Sequence, residues 1–84
     1  MRVPVIRHIG TQGGHTVVLM NEFDLPVLPS PGWEIRVDEG RILKVERVIV
    51  GHNQTIEGVH CEAEQQRPDS EIQRLKDEGW VDKW

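Results

Sequence analysis

One cysteine, one phenylalanine and no tyrosine stand in the 84 residues. The longest apolar runs, such as "VVLM" at 17–20 and "VIV" at 48–50, are far too short to span a bilayer. The lone Cys61 excludes an intramolecular disulfide, and no leader-like segment argues for secretion, so a cytoplasmic protein is expected. A surplus of basic residues is lacking too: Lys and Arg number 10 against 14 Asp and Glu, a net charge of −4. Residues 1–52 are balanced, with six of each sign, and the whole excess lies in residues 53–84, with eight acidic and four basic side chains. Such a balance disfavours non-specific binding to DNA or RNA, which needs clustered cations, but leaves room for a small anion held by a few arginines.

What is present favours β structure. Eight glycines and five prolines, many of them between apolar runs, punctuate a chain long enough for one hydrophobic core. "VPVIRHI" (3–9) and "HTVVLMNEF" (15–23) are β-branched runs separated by "GTQGG" (10–14), the pattern of an antiparallel hairpin. Symmetric closure of that loop sets His8 opposite His15 and Ile6 opposite Val17. One side then carries Ile6, Val17 and Leu19, and the other Val3, Val5, Val18 and Met20. Apolar groups on both faces predict cover on both, from the rest of the fold or from another subunit. "DLPVLPSPG" (24–32) reads as a stiff surface loop with Val27 and Leu28 turned inward.

In "WEIRVDEGRILKVERVIV" (33–50), Trp33, Ile35 and Val37 alternate with polar residues, "DEG" (38–40) turns the chain, and Leu43 and Val45 return. The alternation slips at Glu46–Arg47, the mark of a β-bulge. After a turn at "GHNQ" (51–54), "TIEGVHCEAE" (55–64) sets Val59, Cys61 and Ala63 on one face and His60, Glu62 and Glu64 on the other. "DSEIQRLKDEGW" (69–80) reads as a helix, with Ser70 and Gln73 as a capping box. Gly79 is its left-handed stop, and Trp80 folds back over Leu75. The expected fold is mostly β: a five-stranded antiparallel small barrel or strongly bent sheet (2–65) with one C-terminal helix and a Trp-containing tail (69–84), all in a single domain of residues 1–84.

The run "PSPGWEIRVDEGRILKVERVIV" resembles the Pro-Gly-x-x-Ile/Val…Val-x-x-Val-x-Val hairpin of SH3-like small barrels. The layout, with Gly-Trp after a short terminal helix, is similar to that of small bacterial and phage proteins without an assigned activity. The resemblance implies a fold and, through its phage flavour, an accessory role such as binding a host protein; it implies no reaction.

The residues that carry chemistry offer little for catalysis. The histidines 8, 15, 52 and 60 lack the paired short spacings of a zinc site, so no metal or other cofactor is expected. Cys61, in phase with Val59 and Ala63, reads as a small buried hydrophobe and not as a nucleophile. "GTQGGH" lacks the Lys-Ser/Thr ending of a phosphate loop, and the carboxylate pairs sit in turns or on polar faces.

Three of the four aromatic residues are tryptophans. Trp33 is expected to cap the barrel mouth and Trp80 the helix end, while Trp84 reaches beyond the core such a chain can build. Arg36, Arg47 and Arg7 could converge on one polar face, though cross-strand pairing with Glu34, Glu46 or Glu57 competes. The first expectation is therefore a non-enzymatic interaction protein, working on a protein partner or as a homodimer through Val3, Val5, Val18, Met20, Trp80, Val81 and Trp84. The alternative is a binder of a small anionic, nucleotide-like ligand at Trp33, Arg36, Arg47 and His60. Nucleic acid and an enzymatic role rank below both, and a membrane partner is not expected.

Overall fold

β1 (Arg2–Thr11) is the strand on which the other elements are assembled. It pairs antiparallel with β2 (Thr16–Asp24) along one edge; along the other it receives β5 (Ile56–Cys61) and then β6 (Glu64–Arg67), both parallel to it. β4 (Arg41–Val50) continues antiparallel from β5, and β3 (Glu34–Asp38) from β4. The short β7 (Val81–Asp82) follows α1 (Asp69–Asp77) and pairs with β2. The computed structural model describes residues 1–38 and 41–83; the expected turn at Glu39–Gly40 and the final Trp84 lie outside them.

The molecule is mostly β with one short helix, as expected, and of the two expected forms it is a bent sheet and not a barrel, but neither five-stranded nor antiparallel throughout. It is a curled, open, mixed sheet in the order β3-β4-β5-β1-β2-β7, with β6 beside β1. Each hairpin in isolation would suggest antiparallel partners throughout. The chain between β2 and β5 instead lays down β3 and β4 first, and so brings β5 back alongside β1 in the same direction.

The first hairpin also differs from symmetric closure. β1 runs on to Thr11, whose N–H bonds the His15 carbonyl at 2.8 Å and whose Oγ1 accepts the His15 N–H at 3.2 Å. The loop is thus moved along, and the register sets His8 opposite Val18, Ile6 opposite Met20 and Ile9 opposite Val17. A shift by an odd number of residues exchanges faces. Val3, Val5 and Ile9 now share the core side with Val17 and Leu19, whereas Ile6 shares the outer side with Val18 and Met20. Ile6 is nonetheless buried, because it lies against Gly58, where any side chain would collide with its Cδ1.

Two apolar clusters fill the concave side. The larger joins Val5, Ile9, Leu19, Leu43 and Cys61 to Ile72, Leu75 and Trp80 of the helical segment; the smaller joins Val3, Ile35, Val45 and Val59. Leu28 packs on the smaller cluster as expected, but its neighbour Val27 points to solvent.

The helix is shorter than its pattern suggests. Pro68 occupies the N-cap and no side chain caps the first turn, so the Ser70–Gln73 capping box does not form: Ser70 lies inside the helix. The C-terminus follows expectation. Gly79 takes φ +110°, its N–H reaches the Lys76 carbonyl, and the Trp80 N–H reaches the Leu75 carbonyl at 3.1 Å, the paired bonds of a Schellman ending. That turn drives the indole into the core against Phe23, with ring centroids 5.6 Å apart.

Within this core lies a charge. Arg7 is in phase with Val3, Val5 and Ile9, and its side chain is fully buried. Its guanidinium forms a fork with Glu64, both N–H···O distances 2.6 Å, and lies 4.9 Å from the centre of the Trp80 ring. Glu64 was expected on the opposite face. The β5–β6 break adds a residue: Val59 sits opposite Val5 but Glu64 opposite Ile9, and a further shift sets Arg67 opposite Thr11. The first of these shifts turns Glu64 inward, where Arg67 (3.3 Å) and Arg41 (3.8 Å) also approach it.

Removing one partner of a buried pair leaves the other desolvated and uncompensated. Glu64→Ala is therefore expected to cost about 3–5 kcal/mol in denaturant unfolding, a large share of what a chain of this size possesses. Arg7→Met combined with Glu64→Leu is expected to be much milder than the sum of the single changes, because the couple leaves together.

Candidate functional site

Because neighbours in a strand point to opposite faces, burying Arg7 places His8 on the outer side of β1. The parallel register puts His60 beside Ile6 on that same outer side. The two imidazoles meet there: Nε2 of His8 is 3.0 Å from Nδ1 of His60, and the rings stack at 5.3 Å with 24° between planes. On the far side of β5 the expected bulge is present. Val45 pairs with Cys61 but Arg47 with His60, so both Glu46 and Arg47 reach the outer face, where strict alternation would turn one of them inward. The result is a cleft of about 240 Å³ lined by His8, Glu46, Arg47, His60, Cys61 and Ala63.

The electrostatics of this cleft are cationic. The His60 pKa is lowered from 6.5, first by burial and then by Arg47, His8 and Lys83, with only Glu46 acting in the other direction. Lys83 is held in this neighbourhood by its backbone N–H, which bonds the Val18 carbonyl at 2.8 Å. The imidazole pair can place only one proton between its two facing nitrogens, so full protonation of both rings breaks the bond. Cys61 lies at 1% exposure, and its thiol is pushed up from 9.0 to about 11, chiefly by burial and then by Glu64, with Arg7 opposing. A thiol held protonated is a poor nucleophile.

The residues singled out from sequence are redistributed. Arg47 and His60 come together, and His8, expected beside His15, joins them; His15 and His52 sit exposed in turns. Trp33 and Arg36 line a second cleft, about 220 Å³, with Leu25, Pro26, Val27, Pro29, Glu34 and Ile35, and share none of the first cleft's lining. Trp33 is 49% exposed there and does not close the sheet's interior. Arg7 leaves the polar face altogether.

The expected interface also changes. Val3, Val5 and Trp80 are buried in the chain's own core, so they are not surface contacts. Val18 and Met20 are half-buried on the outer face beside His8 and Ile6, Val81 is exposed, and Trp84 falls outside the described residues. Among the described residues no three His, Cys, Asp or Glu side chains converge as metal ligands would, and no helix is long and apolar enough to cross a membrane.

His8 was legible as a partner of His60 only through the parallel β1–β5 pairing, which strand patterning does not specify. Comparison with known proteins adds no guide: no family model matches the chain, and neither does any curated protein or solved structure.

Two pH dependences follow. Folding holds His60 neutral below its unfolded value of 6.5, so the unfolded chain takes up its proton first as the pH falls. Stability should decline on acidification below that value, and His60→Gln should flatten the decline in urea titrations across the range. Cys61 behaves oppositely: its share of stability is complete below 9.0 and lost as the pH rises toward about 11. Cys61→Ala should remove that alkaline component.

Proposed function

We propose that the chain is a non-enzymatic binding protein whose outer cleft takes a small anionic group, a phosphate ester or a compact carboxylate. The observation that carries this reading is the convergence of Arg47, His8 and His60 around one cleft, with Lys83 near and Glu46 as the sole carboxylate in the lining among the described residues. An arginine fork and imidazole N–H groups are the donors that such anions accept. Arg47 makes no ion pair or side-chain hydrogen bond among the described residues, unlike Arg7, Arg41 and Arg67. The cross-strand carboxylates that compete for arginines elsewhere in the sheet leave this one available.

The cleft favours binding over turnover. It contains no nucleophile beside a base: Cys61 is buried and protonated, and the two histidines bond to one another. Of the two functions expected from sequence, the interaction protein loses Val3, Val5 and Trp80 to the core, while the ligand reading keeps Arg47 and His60 together and gains His8. A bound anion adds countercharge beside a protonated His60, where Glu46 alone opposes burial and the neighbouring cations, so binding and proton uptake support each other.

Thermal unfolding with a panel of inorganic phosphate, pyrophosphate, a nucleoside monophosphate and citrate tests the reading. At about 10 mM, at least one probe should raise the melting temperature by about 4 °C or more, and the gain should be larger near pH 6 than near pH 8. Arg47→Ala with His60→Gln should abolish it. A panel without effect, or gains that survive the double substitution, would refute the cleft as a binding site.

A further inference from the structure

The sheet is open, and β3 is one of its two edges. The direction of the backbone groups along β3 follows from its pairing with β4. Ile35 sits opposite Leu43, and the Val45 N–H bonds the Trp33 carbonyl at 2.8 Å. The Trp33 carbonyl and the N–H and C=O of Ile35 therefore turn toward β4, while the Trp33 N–H bonds the Ser30 carbonyl at 3.0 Å, and the intervening Glu34 and Arg36 turn their backbone groups outward. Among the described residues neither has a backbone partner on that side. The neighbouring loop does not supply one, since Pro26 and Pro29, which line the cleft beside this edge, have no N–H to donate.

We propose that this edge pairs with the same edge of a second copy of the chain, antiparallel, about a two-fold axis through Ile35. The register is chosen by charge. With Ile35 opposite its own equivalent, Glu34 of each copy lies opposite Arg36 of the other, and the paired residues exchange both of their backbone bonds. Both side chains are exposed, so each is available to its opposite number. The regular stretch of the edge is Glu34 to Arg36, since the register with β4 shifts between Arg36 and Asp38, so the contact centres on these three residues, with Trp33, 49% exposed, at its margin. Charged residues often protect an edge from pairing. Here their signs alternate so that the edge repels itself in parallel and matches itself in antiparallel. This contact is distinct from the His8–His60 cleft and does not rest on ligand binding there.

Charge reversal gives the test a signature that a general surface effect cannot reproduce. Light-scattering mass should approach two chains between about 10 µM and about 1 mM. Glu34→Arg alone and Arg36→Glu alone should each return it to one chain, because each sets like charges opposite one another twice; the two together should restore the dimer. In the unaltered protein, amide exchange at Glu34 and Arg36 should slow as concentration rises, a readout that needs no variant to fold. A single-chain mass across the range, a dimer indifferent to either single reversal, or a double reversal that stays monomeric would overturn the proposal.

Discussion

A guanidinium without access to water stands at the centre of this molecule, and much of the chain is arranged to satisfy it. Arg7 lies on the strand with which β2, β5 and β6 all pair directly. Its countercharge comes from Glu64, 57 residues away in sequence, at the start of a strand whose register is displaced to point that carboxylate inward. Trp80 covers the cation from the end of the helix. Arg67 and Glu71 extend the network from β6 into the first helical turn at 3.3 Å. One Nη of Arg7 still lacks a hydrogen-bond partner, so the fork and the ring carry the compensation. Burying an ion pair is weak as a source of stability but strict about geometry, since a misplaced carboxylate leaves a bare charge. Here that strictness selects the parallel β6 pairing and the docking of α1 together.

The same strand shows how a sheet assigns two tasks to adjacent residues. Arg7 faces inward and is neutralised; His8 faces outward and stacks on His60 in a cleft whose charges stay mostly positive. Two backbone irregularities and one glycine establish this division. The bulge at Glu46 carries Arg47 to the outer face, the break after Cys61 carries Glu64 to the inner one, and Gly58 makes room for Ile6 between them. The first two interrupt ladders that would otherwise alternate regularly, and each stands next to a charged or titratable group. Irregularity of this kind re-aims side chains without changing the fold.

Local features were legible in the residue pattern. Strands β1 to β5, the bulge at Glu46–Arg47, the Gly51 turn, the Schellman ending at Gly79 and the burial of Cys61 all depend on nearest neighbours, and periodicity reports those, whereas the short β6 and β7 were not legible in it. What patterning could not specify was which strands lie side by side. The hairpin register depended on where the Gly-rich loop closes, and a shift of three residues reversed its faces. The cleft required β5 to run parallel to β1, a non-local choice. Arg7 did carry a signal: it falls on the Val3, Val5, Ile9 face, and a cation in phase with an apolar stripe marks a buried pair before its partner is known. Ser70 shows the reverse error, a capping pattern displaced because Pro68 was already suited to start the helix.

The parallel pairing of β1 with β5 and β6 also constrains the order in which the chain can assemble. The first hairpin can form as soon as residue 24 has left the ribosome, but its other edge has nothing to pair with until residues 56–67 emerge. Until Trp80 follows, the cation at position 7 has no cover. Joining ends so distant in sequence makes the closing step slow relative to hairpin formation, as loop-closure entropy requires. Nascent chains halted before the helix should therefore remain protease-sensitive, their opening strands formed but unsealed.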